Sequence, residues 1–262
     1  MQMKITWLGT ASILVSSGSD RILFDPYLKL LNPRLPPFPL EDIADVKAIL
    51  ITHPHLDHFA DMPAVMEKCA APVYVCDRGI EIAEEQGFNL SRMISISPGD
   101  EVSVGSMKIR VYQSCHCMYD RPVVRETLSR ALRPAHLREG LSIDVQNHRF
   151  RIDMNRDVYG YEIRDDHRSI FLMGSANCCE NVAYPKEMDL LVYPYQGRSD
   201  MADYSMQFLD RFRPRRVMLD HFDDAFPPVS AQMDYAPFLE KAARRYPEME
   251  IFAPREMEVY NV

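Results

Sequence analysis

The sequence is poor in glycine, with 10 in 262 residues, and holds one tryptophan. Scarce glycine argues against flexible linkers, and 19 prolines beside it fit short elements joined by stiff corners. Positive charge is in deficit as well: 30 Lys and Arg against 38 Asp and Glu leave a net charge of −8. Such a chain does not gather phosphate backbones by bulk attraction, so nucleic acid is not an expected partner. No uninterrupted apolar run approaches the ~20 residues that cross a bilayer, and no membrane association is expected. The stretch from Ile5 to Val15 imitates a signal-peptide core, but Gly9, Thr10 and Ser12 break it, and it reads as strand, turn and strand. The six cysteines, at 69, 76, 115, 117, 178 and 179, form no CxxC pair and no spaced framework, which predicts reduced thiols in a cytoplasmic protein. Also missing are a Gly-x-Ser-x-Gly elbow, a Walker loop and a Gly-x-Gly-x-x-Gly turn, leaving serine hydrolases, nucleotide hydrolases and dinucleotide dehydrogenases without a motif.

What is present is an ordinary globular composition, 26% charged and 47% hydrophobic, of a length that allows one large domain or two small ones. Lys4–Leu8, Ser12–Val15 and Arg21–Phe24 read as a meander of short strands that stops at Asp25-Pro26. After a proline-rich loop over 32–39, Val46–Thr52 is almost wholly apolar, as expected of a strand buried on both faces. Further strand-like runs at 73–76, 93–96 and 107–113 alternate with helical patterns at 62–70 and 78–86. The second half repeats the style at 159–164, 169–173, 190–193 and 216–219, so two similar sheets packing face to face in one domain are expected. The segment 120–150 stands apart as an arginine-rich insertion with a helix predicted over 123–137.

The strongest chemical signal is Thr52-His53-Pro54-His55-Leu56-Asp57-His58, an H-x-H-x-D-H run directly after the buried strand. In extended chain, alternate residues point to one side, so His53 and His55 can offer imidazoles to one ion. A turn then presents Asp57 and His58 to a neighbouring position. Two adjacent cation sites follow.

This run resembles the metal-binding motif of the metallo-β-lactamase-fold hydrolases, and the resemblance implies an α/β fold of the four-layer αββα type. Downstream, Lys108–Ser114 runs into Cys115-His116-Cys117, and Arg216–Asp220 leads into His221, so His116 and His221 match the remaining histidines of the family. The family's bridging aspartate follows a strand in a Gly-Asp-Thr turn; here Phe171–Met173 is followed by Gly174-Ser175-Ala176, and the bridge is absent. The opening Ile5–Ile13 looks most like the lactonase-like branch that includes ascorbate-6-phosphate lactonase. The loop Tyr193–Met201 resembles the family's Pro-x-Gly-Gly loop, with Gln196 and Asp200 as departures.

The resemblance implies a first site of His53, His55 and His116 and a second of Asp57, His58 and His221, with Asp57 and His58 closest to catalysis. Zinc suits the histidine-rich set, in one or two ions, with manganese, iron or nickel as alternatives. Asp57 would serve as a ligand or, with the second site empty, as general base. Asp25, Asp220, Asp223 and Asp224 are candidates to orient the imidazoles, and Cys115, Cys117, Cys178 and Cys179 to replace the missing anion. Arg125 in the insertion and Arg198 in the 193–201 loop are candidate anion contacts. The expected activity is metal-dependent hydrolysis of a small anionic ester, lactone or phosphodiester; the alternative is a protein of the same fold that binds metal without turnover. A homo-oligomer is compatible with everything above.

Overall fold

The computed structural model describes residues 2–28 and 40–262, so the proline-rich loop read over 32–39 lies outside the described residues. Two mixed seven-stranded sheets face each other with helices against them. The first contains β1 (Met3–Trp7), β2 (Ile13–Ser17), β3 (Asp20–Phe24), β4 (Ala48–Leu50), β5 (Val73–Val75) and β6 (Met93–Ser95), in that order, with the last strand of the chain, Val259–Asn261, outside β1. The second runs from β7 (Glu101–Val104) through β8 (Met107–Ser114), β9 (Val158–Arg164), β10 (Ser169–Leu172), β11 (Leu190–Pro194) and β12 (Arg216–Asp220) to β13 (Glu250–Phe252). The Val259–Asn261 strand is β14. Helices α1 (Leu56–Phe59), α2 (Met62–Lys68) and α3 (Asp77–Glu85) belong to the first half. In the second are α4 (Arg121–Ala131), α5 (Leu137–Arg149), α6 (Met201–Tyr204), α7 (Met206–Phe212) and α8 (Ala236–Arg245).

The apolar run expected at 46–52 is β4, buried at every position between the parallel neighbours β3 and β5. Its side chains have no solvent face to supply, which is why its sequence does not alternate. The sheets meet through large side chains: Phe24 of β3 lies 5.5 Å from Tyr161 of β9. The Tyr161 hydroxyl donates to the Ile51 carbonyl at 2.6 Å, satisfying a polar group the core would otherwise strand. Trp7 stacks on Phe222 at 4.8 Å and ties the opening strand to the loop after β12.

Two expectations are corrected. The helix read over 123–137 is two helices, because Pro134 cannot donate to a continuing ladder and the residue before it avoids helical backbone. Asp120 caps α4 by accepting from the Val123 N–H at 3.0 Å. Nor are all six thiols reduced: Cys115 and Cys179 form a disulfide, 64 residues apart in the chain. No local spacing rule reveals such a pair, since β9 and β10 bring its two loops together. Cys69, Cys76, Cys117 and Cys178 are free.

Candidate metal centre

The predicted ligands lie in segments that leave the C-terminal ends of three strands, β4, β8 and β12. His53 lies three residues past the end of β4, and His55 is the extended residue preceding α1, whose first turn carries Asp57 and His58. His116 follows β8 and His221 follows β12. The face-to-face sheets bring these ends together into two groups, His53–His55–His116 and Asp57–His58–His221, each with its ligand atoms within 4.8 Å of one another. In the first group the rings stand nearly perpendicular, with centroids 4.7 to 5.1 Å apart. The groups adjoin where His53 and His58 approach to 3.9 Å.

The hydrogen bonds assign each imidazole a direction. His116 Nδ1 faces the Cys117 carbonyl at 2.9 Å, an acceptor, so Nδ1 carries the proton and Nε2 is left as a lone pair. Thr52 Oγ1 donates to Asp25 Oδ2 and therefore accepts from His53 Nδ1 at 3.0 Å. His58 Nδ1 contacts the same Asp25 oxygen at 2.8 Å. The other oxygen of Asp25 accepts from the Thr52 N–H at 2.7 Å. Asp25, one of four aspartates proposed to orient imidazoles, thus holds His58 directly and His53 through Thr52. Sequence reasoning passed over Thr52, although its hydroxyl next to the first histidine was a visible signal.

These partners fit a cation. His53 Nε2 is buried with no hydrogen-bond partner among the described residues, an arrangement that costs stability unless an electrophile faces it. Burial, reinforced by the neighbouring imidazoles, pushes His53 well below the usual histidine range. Burial likewise lowers His55 to about 3 and His116 to about 4. Three neutral imidazoles at pH 7 are the protonation state in which histidine binds metal.

The second group balances charge differently. Burial opposes ionisation of Asp57, yet His58 and the hydrogen bond from His221 hold its carboxyl well below the usual range. Burial also disfavours charged His221, but Asp57, with Asp223 and Asp220 behind it, raises it to about 9. His221 Nε2 lies 3.0 Å from Asp57 Oδ2, and both side chains keep some contact with solvent, 14% and 13%. To hold a cation here, His221 would have to give up the proton it carries at neutral pH.

Backbone strain gathers around this group: Thr10, Asp25 and His221 all have positive φ, at 50°, 45° and 53°. Each costs roughly 1 to 2 kcal/mol relative to ordinary backbone and survives only where surrounding contacts impose it. His221 N–H donates to the Thr10 carbonyl at 2.8 Å, and Thr10 N–H and Oγ1 donate to Asp223 Oδ2 at 3.0 and 3.1 Å. Asp223 therefore steadies the turn that receives His221, while Asp224 is engaged by Ser230. Asp220 is buried with Oδ1 lacking a partner among the described residues. Burial lifts its carboxyl to about 8, with His221 opposing and Asp25 and Asp223 adding to the rise.

Ser175, where a bridging carboxylate was looked for, accepts from the Cys117 N–H at 2.9 Å and so holds the chain just past His116. The preceding Gly174 is obligatory, because a Cβ there would lie 2.1 Å from the Tyr159 carbonyl oxygen and 2.8 Å from Thr52 Cβ. Cysteine does not replace the anion in the two ligand groups. Cys115 and Cys179 are spent on their disulfide, and burial raises the Cys117 and Cys178 thiols to about 12. Arg198 forks onto Asp200 at 2.7 and 2.9 Å, donates to the Met118 carbonyl and lies over the Tyr204 ring. Arg125 is exposed on α4. Tyr119, which was not anticipated, sets its ring edge-on to His116 at 5.8 Å.

Facing mixed sheets with histidine and aspartate side chains converging at their strand ends define the class: a metallo-β-lactamase-type αββα sandwich with a two-part candidate metal centre. The chain belongs to the β-lactamase superfamily, whose domain it matches over residues 20–222. It is 34% identical over 110 residues to a UPF0173 metal-dependent hydrolase of Pyrobaculum islandicum, in an alignment covering 38% of this chain and 48% of that one. The chain spans about half the length of the curated relatives it matches. In fold it is similar to Igni18, a metallo hydrolase of Ignicoccus hospitalis, with a TM-score of 0.63, 17% identity and coverage of 100% and 99% of the two chains. It is also similar to an isothiocyanate hydrolase from Delia radicum gut bacteria, with a TM-score of 0.62, 16% identity and coverage of 99% and 100%. Among the described residues no helix is long and apolar enough to cross a membrane.

Proposed function

We propose that the protein is a metal-dependent hydrolase of a small anionic ester, lactone or phosphodiester. The observation that carries this reading is the convergence of the neutral imidazoles of buried His53, half-buried His55 and buried His116 beside the ionised Asp57. A divalent ion held by these residues supplies a Lewis acid and lowers the pKa of water toward about 7, so no side-chain nucleophile is required. Asp57 would hold a second cation or, with that position empty, accept a proton from the attacking water, and His58, held by Asp25, would hold the neighbouring position. Zinc is the favoured ion for the three-imidazole group, with manganese, iron or nickel admitted by the mixed nitrogen and oxygen set of the second. Arg198 reaches an anionic substrate only by leaving Asp200, so Arg125 is the freer of the two proposed contacts.

Purified protein should be assayed against a panel of esters, lactones and phosphodiesters alongside measurement of bound metal by mass spectrometry. Hydrolysis that the His53→Ala, His55→Ala double variant loses together with its metal supports the reading. Activity persisting in that variant, shown to be metal-free, refutes it. A second reading, metal binding without turnover, is favoured by the engagement of Ser175 with Cys117, which leaves no carboxylate at the bridging position. Stoichiometric metal with no hydrolysis across the panel would select it.

A further inference from the structure

Tyr119 stands three residues past His116, in the irregular segment between β8 and α4, and is 54% exposed. Single exposed aromatics are ordinary on a protein surface. This one is held in place beside the candidate metal centre. The backbone on each side of it is pinned to the 193–201 loop: Arg198 donates to the Met118 carbonyl at 3.2 Å, and the Ser199 N–H and hydroxyl donate to Asp120 Oδ2 at 2.8 and 2.6 Å. The other oxygen of Asp120 caps α4. The ring itself stands edge-on to His116, with 5.8 Å between centroids. On another side it meets Gly197, where an added Cβ would lie 3.4 Å from a ring carbon and 2.9 Å from Cys117 Sγ. With φ at 108° and no side chain, Gly197 lets the loop close on the ring.

The ring also borders the open side of the centre. His53, His58 and His116 are buried, and the members that keep contact with solvent are His55, Asp57 and His221. Burial around its hydroxyl raises the Tyr119 phenol above its ordinary range, and the Asp57 carboxylate adds to the rise. The hydroxyl has no hydrogen-bond partner among the described residues, so the side chain is not committed to a structural contact through its polar end. Arg198, the cation beside it in the 193–201 loop, is bound to Asp200.

We propose that the Tyr119 ring is the specificity-determining surface of this centre, taking the flat apolar part, an aryl group, of a ligand whose reacting group lies at the metal. The inference rests on the hydrolase reading of the same site and adds to it a class of substrate. A tyrosine supplies a large contact area at little entropic cost, and a ring whose backbone is already pinned on both sides loses little further freedom when a ligand stacks on it.

The test uses two probes that share a metal-binding head and differ in the aryl group, acetohydroxamate and benzohydroxamate, titrated calorimetrically into the zinc-loaded protein. The aryl preference is the ratio of the two Kd values. It should fall about five- to tenfold in Tyr119→Ala and be kept in Tyr119→Phe, which retains the ring. Tyr119 is half open to solvent and is not a ligand, so both variants should keep the unmodified circular dichroism spectrum and zinc content. An aryl preference unchanged in Tyr119→Ala overturns the proposal. So does its loss in Tyr119→Phe, which would assign the effect to the hydroxyl, and so does failure of both hydroxamates to bind protein that holds zinc. Neither probe needs turnover. An aryl preference that depends on Tyr119, in a protein that hydrolyses nothing in the ester, lactone and phosphodiester panel, would uphold the ring as a ligand determinant and refute the hydrolase reading. Hydrolysis without any such preference would do the reverse.

Discussion

Thr52 does two jobs at once, accepting from one candidate ligand and donating to the carboxylate that holds another. Thr52→Val keeps the shape and removes the hydroxyl. We expect it to weaken metal binding about 10- to 100-fold, as losses behind a metal-binding imidazole do, with Thr52→Ser restoring most of it. Isothermal titration calorimetry would read both; unchanged affinity in Thr52→Val would mean that backbone geometry alone orients His53. Ser175 carries the second prediction. Without a carboxylate there, two adjacent cations repel with less negative charge between them, and the Asp57–His58–His221 group should bind more weakly than the three-imidazole group; Ser175→Asp should tighten that second site, whereas His221→Ala should abolish it and leave the first nearly intact. Two equal, tight sites in the unmodified protein would contradict this asymmetry.

At the scale of elements, the site depends on how loops at strand ends are held. The Cys115–Cys179 disulfide joins the residue before His116 to the loop after β10 and closes a span of 64 residues. A cross-link of that span is worth about 4 kcal/mol by loop entropy, with engineered cases often giving less. Cys179→Ala should therefore lower the urea midpoint by an amount equivalent to about 2 to 4 kcal/mol and weaken the first metal site, because His116 loses its anchor. Equal midpoints for oxidised and fully reduced unmodified protein would show that the disulfide contributes nothing. The division of 120–150 into α4 and α5 followed from Pro134, a local signal present in the sequence but outweighed by the apolar periodicity running through it. The short β13 and β14 escaped the sequence reading because three residues each, partly exposed, carry too little pattern to stand apart from loop.

For the molecule as a whole, the histidines tie stability to pH. In the metal-free protein His55 and His116 titrate near 3 and 4, against about 6.5 in the unfolded chain. Below pH 6.5 the unfolded state binds protons that the folded state refuses, so stability falls as pH drops, by about 1.4 kcal/mol per pH unit for each such imidazole. His221 has the opposite sign. Raised to about 9 by Asp57, it contributes stability that is fully present below 6.5 and lost as pH rises through 9. Thermal melts of chelator-treated protein should show greatest stability near pH 6.5, with a steeper fall on the acid side than between about 6.5 and 9, and saturating metal should flatten the acid limb by holding the imidazoles unprotonated. An acid limb identical with and without metal would exclude these histidines as its cause.

The sequence by itself determined the buried strand at 48–50, the two-residue spacing that aims His53 and His55 together, and the turn that offers Asp57 and His58 separately. These are local facts, set by backbone periodicity over fewer than a dozen residues. His116 and His221 were legible only through the resemblance to the family, whose remaining histidines also follow strands. Tertiary structure decided the rest: that Asp25 serves His58 across 33 residues, that Ser175 supports Cys117 across 58, and that Asp223 holds Thr10 across 213. It also took Arg198 into a fork with Asp200 and joined Cys115 to Cys179. Contacts at such separations depend on which strands lie side by side, and strand order is set by global packing of the two sheets rather than by any pattern along the chain.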